Sequence, residues 1–217
     1  TITNAIMVIH GNSRNADDYL GYVEEAGALT DGVVYGNTAI VVPQFLTDED
    51  VAAFDLQSSD TLYWSSAGWK KGNTSNNNPY SRPFTISSFA VVDKIIDHMT
   101  TLYPNLSEIT LMGHSSGGQF VQRYAAGGGA EDLPSTSGIS FQYVVANPSS
   151  YLYFSKKRAQ QNTLDVFSIP DASTHEYDTT VCPEYRDYEY GLIGLNNYMS
   201  AAGVINLFQN YDSRTVI

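Results

Sequence analysis

The sequence predicts an α/β fold: a mostly parallel sheet with helices on both faces. Short apolar segments of strand length recur along the chain, and segments with helical spacing of apolar residues lie between them. Continuous apolar strands that alternate with helices are typical of a parallel sheet covered on both sides. The chain has 217 residues, 42% of them hydrophobic, which is enough for one domain with a buried core.

Each element is justified by a local pattern. Apolar runs predict strands, apolar residues at helical spacing predict helices, and Ser87 or Ser88 is a suitable N-cap for the second helix. The predicted strands are residues 5–9, 39–45, 108–112 and 141–146. The predicted helices are residues 15–29, 89–102 and 119–126. Residues 204–209 and 215–217 are predicted to lead into another strand, which begins at the end of the sequence.

Two stretches have little periodicity. Residues 46–83 are predicted to be a long loop, and long loops in compact domains are often functional. Residues 147–200 are rich in tyrosine and are predicted to form an irregular, cap-like insertion near the strand ends. We expect residues 1–217 to form a single domain that is incomplete at both ends.

The clearest chemical motif is GHSSG, residues 113–117, which matches G-x-S-x-G. It has the required context, since an apolar strand precedes it and a helix follows it. In this motif the serine lies on a strained strand-to-helix turn, and the residues two positions before and two positions after the serine must be small. Only Ser115 fits this frame, so it is the candidate nucleophile. The alternative is an ordinary glycine-rich turn.

A second motif makes a chance match to G-x-S-x-G less probable. His10-Gly11 ends an earlier strand of the same type, and the turn after such a strand supplies one oxyanion donor, while the residue after the nucleophile supplies the other. The predicted donors are the backbone N–H groups of Asn12 and Ser116. A polar turn explains the side chain of Asn12 equally well.

These motifs resemble the α/β-hydrolase superfamily of serine hydrolases across nearly the whole chain. HGNSRNA (10–16), WKKG (69–72), GHSSGGQFVQRYA (113–125) and VANPSSYLY (145–153) are similar to a largely uncharacterised microbial subgroup. The resemblance implies that an ester or amide is cleaved through an acyl-enzyme on Ser115. It implies no particular substrate. The alternative is a binding or structural protein that keeps the fold without the catalytic machinery.

The resemblance also implies an acid and then a histidine after the nucleophile. We expect both to come from residues beyond this chain or from a second chain, because residues 215–217 correspond to about the start of the strand that precedes the acid. Within the chain, His175 is the candidate base, with Asp171, Glu176 or Asp178 as its acid. His10, His98 and His114 are poor candidates, since they fall in the oxyanion turn, on a solvent-facing helix surface and in the nucleophile turn.

Four aromatic residues are candidates for a substrate pocket: Trp64, Trp69, Tyr151 and Tyr153. Loop aromatics also commonly anchor the loop itself. No metal-ligand spacing and no phosphate-binding loop occurs in the sequence, so we expect no metal and no cofactor. The expected ligand is a small-molecule or acyl substrate.

Charge and hydropathy exclude other classes of partner. The chain has 11 Lys plus Arg against 23 Asp plus Glu, a net charge of −12, which disfavours binding to nucleic acid. No apolar run reaches the length of a membrane span.

A secreted or extracellular location is expected from two N-glycosylation sequons, at Asn73 and Asn105, and from the tyrosine- and asparagine-rich composition. The single cysteine, Cys182, then suggests a partner thiol elsewhere. A buried free thiol is the other interpretation.

Overall fold

The structure is a computed structural model that describes residues 1–29, 35–160, 163–170 and 183–217. Its strands are β1 (Asn4–Ile9), β2 (Thr38–Val41), β3 (Glu108–His114), β4 (Ser140–Ala146), β5 (Arg158–Gln160), β6 (Thr163–Ser168) and β7 (Thr215–Val216). Its α-helices are α1 (Ala16–Ala28), α2 (Asp48–Ala53), α3 (Ser88–Leu102), α4 (Ser116–Gly127), α5 (Asn197–Ala202) and α6 (Val204–Ser213).

Five strands form one parallel sheet in the order β2-β1-β3-β4-β7. In this register Ile9 of β1 lies beside Gly113 of β3, which lies beside Val145 of β4. The three strands therefore end side by side. Because the carboxyl ends of parallel strands share one edge, the turns that follow β1, β3 and β4 meet there.

Helices cover both faces of the sheet, as predicted. Helix α4 contacts β1, β3, β4 and α6 on one face. Side chains on the other face of β3, Met112 and His114, line a groove under α1 together with Tyr19 and Val23. Helix α4 is buried along its whole length, because it lies between the sheet and the helices around it.

The second predicted helix is confirmed as α3. The side chain of Ser87 accepts a hydrogen bond from the backbone N–H of Phe89, which caps the helix as the sequence predicts. The residues that α3 buries at helical spacing are Phe89, Val92, Ile96 and Met99. The apolar residues that the helical spacing predicts therefore form the face of α3 that packs on the core.

Three sequence predictions need correction. The second strand ends at Val41 rather than residue 45, and Phe45 instead packs into the core from a loop. The long loop after it contains α2, which begins with a capping box between Thr47 and Asp50. Residues 204–209 are not strand but the start of α6, because Leu207 is buried against the core while neighbouring side chains point outward.

The predicted strand at the end of the chain is confirmed, since β7 pairs with β4 at Gln142–Thr215 and Tyr143–Val216. Within the described part of residues 147–200, β5 and β6 form an antiparallel hairpin and α5 is a short helix. These described segments are therefore more regular than the sequence predicts. No helix among the described residues has the length and apolar character needed to cross a membrane.

Candidate active site

Ser115 lies on the sharp turn between β3 and α4. Its backbone has φ 57° and ψ −117°, a conformation with positive φ that residues other than glycine rarely adopt. Two backbone hydrogen bonds hold it: the Ser115 N–H donates to the Ala146 carbonyl at 3.0 Å, and the Ser115 carbonyl accepts from Gln119 N–H at 3.0 Å. Such strain costs about 1–3 kcal/mol and persists only where the surroundings enforce it.

The glycines of the turn are required by close backbone contacts. A Cβ on Gly117 would lie 2.0 Å from the Ile9 carbonyl oxygen, and one on Gly113 would lie 2.4 Å from the Gly117 carbonyl oxygen. A Cβ on Gly118 would lie 2.6 Å from the Ala146 carbonyl oxygen. The N-terminus of α4 therefore packs directly against the backbone at the ends of β1 and β4, and this contact sets the position of Ser115.

The two predicted oxyanion donors lie at adjacent strand ends. Ser116 is the first residue of α4, so its backbone N–H has no acceptor within the helix. The N–H of Asn12, just beyond β1, makes no hydrogen bond to any residue in the described ranges. Both groups lie at the carboxyl edge of the sheet, one after β1 and one after the neighbouring strand β3. The arrangement leaves both backbone N–H groups without an acceptor in the described ranges.

An ion pair braces the turn that carries Asn12. Arg14 donates from Nε to Asp50 Oδ2 at 2.6 Å and from Nη2 to Asp50 Oδ1 at 3.1 Å, a bidentate pair. Arg14 also donates from Nη1 to the Asn12 carbonyl at 3.1 Å, and its own backbone has φ 54°. The Arg14 side chain therefore fixes the turn from one side, while α2 provides the carboxylate.

Burial opposes ionisation of Asp50, but hydrogen bonds from Arg14 and Thr47 outweigh it and lower the pKa of its carboxyl group. Because the folded-state pKa lies below the unfolded value of about 3.9, the ion pair stabilises the fold fully above that pH. This stabilisation is lost as the pH falls through the lower, folded-state pKa.

We predict that Asp50→Asn slows acylation of Ser115 by about tenfold and lowers the free energy of unfolding by about 1–2 kcal/mol, since one partner of a charge-assisted pair is removed. Stopped-flow acylation and denaturant titration measure the two effects. Glu49→Gln is the matched control, because Glu49 also lies near Arg14, at 3.8 Å, but its side chain is 84% exposed. Equal behaviour of the two variants would contradict a positioning role for the Arg14–Asp50 pair.

His10 is structural. Its Nε2 atom accepts a hydrogen bond from Phe45 N–H at 2.9 Å, so this nitrogen carries no proton, and Nδ1–H donates to the Gly11 carbonyl at 2.8 Å. The ring is fully buried, and desolvation lowers its pKa. Both nitrogens are engaged in holding the first turn, which leaves neither to act as the base for Ser115.

The remaining histidines do not complete the site either. His98 and His114 are exposed, and no described histidine hydrogen-bonds to Ser115. His175 and its predicted acids, Asp171, Glu176 and Asp178, fall outside the described residues, as does Cys182. The described part of the chain thus places no histidine in hydrogen-bond contact with the candidate nucleophile.

The four predicted pocket aromatics divide into two groups. Trp64 and Trp69 are 3% and 0% exposed and belong to the core, where Trp69 lies 4.7 Å from the His10 ring and stacks on Phe45. Tyr151 is exposed and Tyr153 partly exposed, and both line a surface groove beside α6. The tryptophans therefore support the first turn and the loop from within instead of presenting their rings to solvent.

Sequence reasoning missed Asp50 and the full role of Arg14. The position of Arg14 inside the HGNSRNA motif was a sign that it acts at the first turn. Asp50 is 36 residues away, and its pairing with Arg14 depends on the fold. In the part of the chain that the structure describes, no group of three or more His, Cys, Asp or Glu side chains could hold a metal ion.

The fold and this turn define the class: the chain has the α/β-hydrolase fold, with a serine at the strand-to-helix turn. Poly(aspartic acid) hydrolase-1 from Sphingomonas sp. KT-1 has a similar structure, with a TM-score of 0.52 and 21% sequence identity, over 99% of this chain and 59% of that one. LpqC, a poly(3-hydroxybutyrate) depolymerase from Bordetella parapertussis, matches with a TM-score of 0.40 and 20% identity, over 81% and 50%.

The chain thus spans 59% and 50% of the length of these two proteins. No protein-family model matches it, and no curated protein matches it in sequence.

Proposed function

We propose that this protein is a serine hydrolase that cleaves an ester or amide through an acyl-enzyme on Ser115. The observation that carries the proposal is the strained backbone of Ser115, at φ 57°, on a turn where three glycines admit no side chain. Strain of this kind clusters at functional sites, because a purely structural turn would be more stable with glycine at that position.

In the proposed reaction the Ser115 hydroxyl attacks the substrate carbonyl carbon and gives up its proton to a general base. The tetrahedral oxyanion accepts hydrogen bonds from the N–H groups of Asn12 and Ser116, with the N-terminal end of α4 adding a favourable field. Collapse expels the alcohol or amine, which takes the proton from the base, and water then hydrolyses the acyl-enzyme by the same route.

We further propose that the base is a histidine, oriented by an acid, and that both are supplied by residues beyond this chain. The support is that the described histidines are either engaged, as His10 is, or exposed and without a hydrogen bond to Ser115. The Sphingomonas protein, named a poly(aspartic acid) hydrolase, agrees with a hydrolytic function through the shared fold.

Fluorophosphonate labelling of the protein in its native form tests both parts of the proposal. We expect one label per protein at neutral pH, on Ser115, with Ser116→Ala labelling normally because it keeps its backbone N–H. His175→Ala is expected to label like the wild type. Loss of labelling in His175→Ala would assign the base to this chain instead. A wild-type protein that takes up no label would favour the non-catalytic alternative.

A further inference from the structure

A cluster of charged side chains lies at α4, the helix that follows the proposed nucleophile. Lys71 Nζ forms an ion pair with Glu189 Oε1 at 2.9 Å, and Arg123 Nη2 lies 3.4 Å from Glu189 Oε2. The Arg123 side chain is fully buried. Lys70, the neighbour of Lys71 in a turn that packs on α4, is the remaining cation. We call Lys70, Lys71, Arg123 and Glu189 the basic cluster.

Hydrogen bonds along α4 connect the basic cluster to Ser115. Arg123 donates from Nη1 to the Gln119 carbonyl at 3.1 Å, and Gln119 N–H donates to the Ser115 carbonyl at 3.0 Å. Along the axis of α4, Gln119 lies about 6 Å from Ser115 and Arg123 about 12 Å, at about 1.5 Å per residue. On the other side, the residue before Lys70 is Trp69, whose ring packs on His10 at the base of the oxyanion turn.

The charges in the cluster do not balance. It has three cations and one carboxylate, whereas the whole chain has a net charge of −12. The charged groups that act on Lys70 are Glu189, Lys71 and Arg123, and Lys70 forms no ion pair within the described ranges. Burial, together with the two neighbouring cations, lowers the pKa of Lys70. A group of buried or half-buried cations normally has matching counter-charges.

Unpartnered polar atoms occur at the same place. Three buried side-chain atoms in the described part of the chain have no hydrogen-bond partner: Trp69 Nε1, Arg123 Nε and Glu189 Oε2, the last of which still lies 3.4 Å from Arg123 Nη2 as an ion pair. Two of them are donors, and all three belong to the cluster or to the residue beside Lys70. Because buried polar groups are nearly always satisfied, unused donors beside an excess of positive charge indicate a site for an anion.

We propose that the basic cluster is a subsite for a carboxylate group of the substrate, so that the hydrolysed compound is an anionic acyl ester or amide whose carboxylate lies about two turns of α4 from the scissile carbonyl. This inference rests on the proposed function and adds the substrate class. Lys70, which is partly exposed, is the residue that contacts the carboxylate. Arg123 and Lys71 contribute positive potential from behind it.

A pair of short peptides tests the subsite without requiring turnover. Tri-aspartate is the anionic probe and tri-asparagine its neutral counterpart of nearly equal shape. Calorimetric titration of the native protein should detect tri-aspartate binding, and tri-aspartate should slow fluorophosphonate labelling of Ser115. Lys70→Met should weaken its binding by about fivefold, the usual size for loss of one partly exposed ion pair. Lys157→Met, an exposed lysine, is the control and should bind like the wild type.

The wild-type protein provides a second measurement should Lys70→Met fail to fold. Raising the salt concentration from about 0.05 M to about 0.5 M should weaken tri-aspartate binding, because it screens the attraction. Equal binding of the two peptides, or tri-aspartate binding that salt leaves unchanged, would overturn the subsite while leaving labelling of Ser115 intact. Failure of labelling with normal tri-aspartate binding would instead contradict the proposed reaction.

Discussion

Replacing Ser115 with glycine is expected to abolish acylation of the native protein and, at the same time, to give a more stable fold than replacement with alanine. Both variants lose the hydroxyl, so acylation should fall by about a thousandfold or more. The free energy of unfolding should be about 1 kcal/mol higher for Ser115→Gly than for Ser115→Ala, because only glycine adopts positive φ without a steric cost. Burst kinetics and denaturant titration measure the two quantities.

This comparison separates function from folding. A residue selected only for structure at φ 57° would be glycine, so a stabilising Ser115→Gly variant would show that the serine is kept at a cost in stability. If the alanine variant proved as stable as the glycine variant, the strain attributed to this turn would be absent. If either variant kept the acylation burst, another residue would be the nucleophile.

Replacing Gly117 with alanine is expected to be the most damaging single change to the fold. The new Cβ would lie 2.0 Å from the Ile9 carbonyl oxygen and 2.8 Å from that of His10, and both oxygens belong to the backbone at the end of β1. Since neither a rotamer change nor a small shift relieves these contacts, we expect a loss of about 4 kcal/mol or more, or no folded protein at all. Chemical denaturation followed by circular dichroism measures the change.

Gly21 provides the matched control. It lies inside α1, and a Cβ there would meet nothing within 4 Å. Gly21→Ala should therefore raise the free energy of unfolding by about 0.5–1 kcal/mol, because alanine is the better helix former. The same chemical change is thus expected to have opposite signs at the two positions. A Gly117→Ala variant that unfolds at the wild-type denaturant concentration would contradict the close packing of α4 on β1.

The fold was predictable from the sequence because its signals are local. An apolar strand, a glycine-flanked serine and a following helix occupy consecutive residues around Ser115, and the parallel direction of β1, β3 and β4 follows from the alternation of strands and helices. Residues 204–209 were misassigned because a short apolar segment fits either a strand or a buried helix face, and packing of Leu207 on the core decides between them.

The rest of the site could not be predicted, because it depends on residues far apart in the chain. Arg123 occupies a helix that sequence patterns would place partly in solvent, yet α4 is buried on all sides and Arg123 pairs with Glu189, 66 residues away. The Arg14–Asp50 pair joins the first turn to α2 in the same way. Charged partners such as these leave no periodic signal, so only the folded arrangement reveals them.

The most direct test of the central claim is to map the covalent intermediate. The native protein is mixed with excess p-nitrophenyl butyrate, quenched in acid during the burst, digested and analysed by mass spectrometry. We predict one butyryl group per protein, on the peptide that contains Ser115, with none on the Ser115→Ala variant. A butyryl group found on a lysine or tyrosine instead, or no butyryl group on a protein that still releases nitrophenol, would contradict an acyl-enzyme on Ser115.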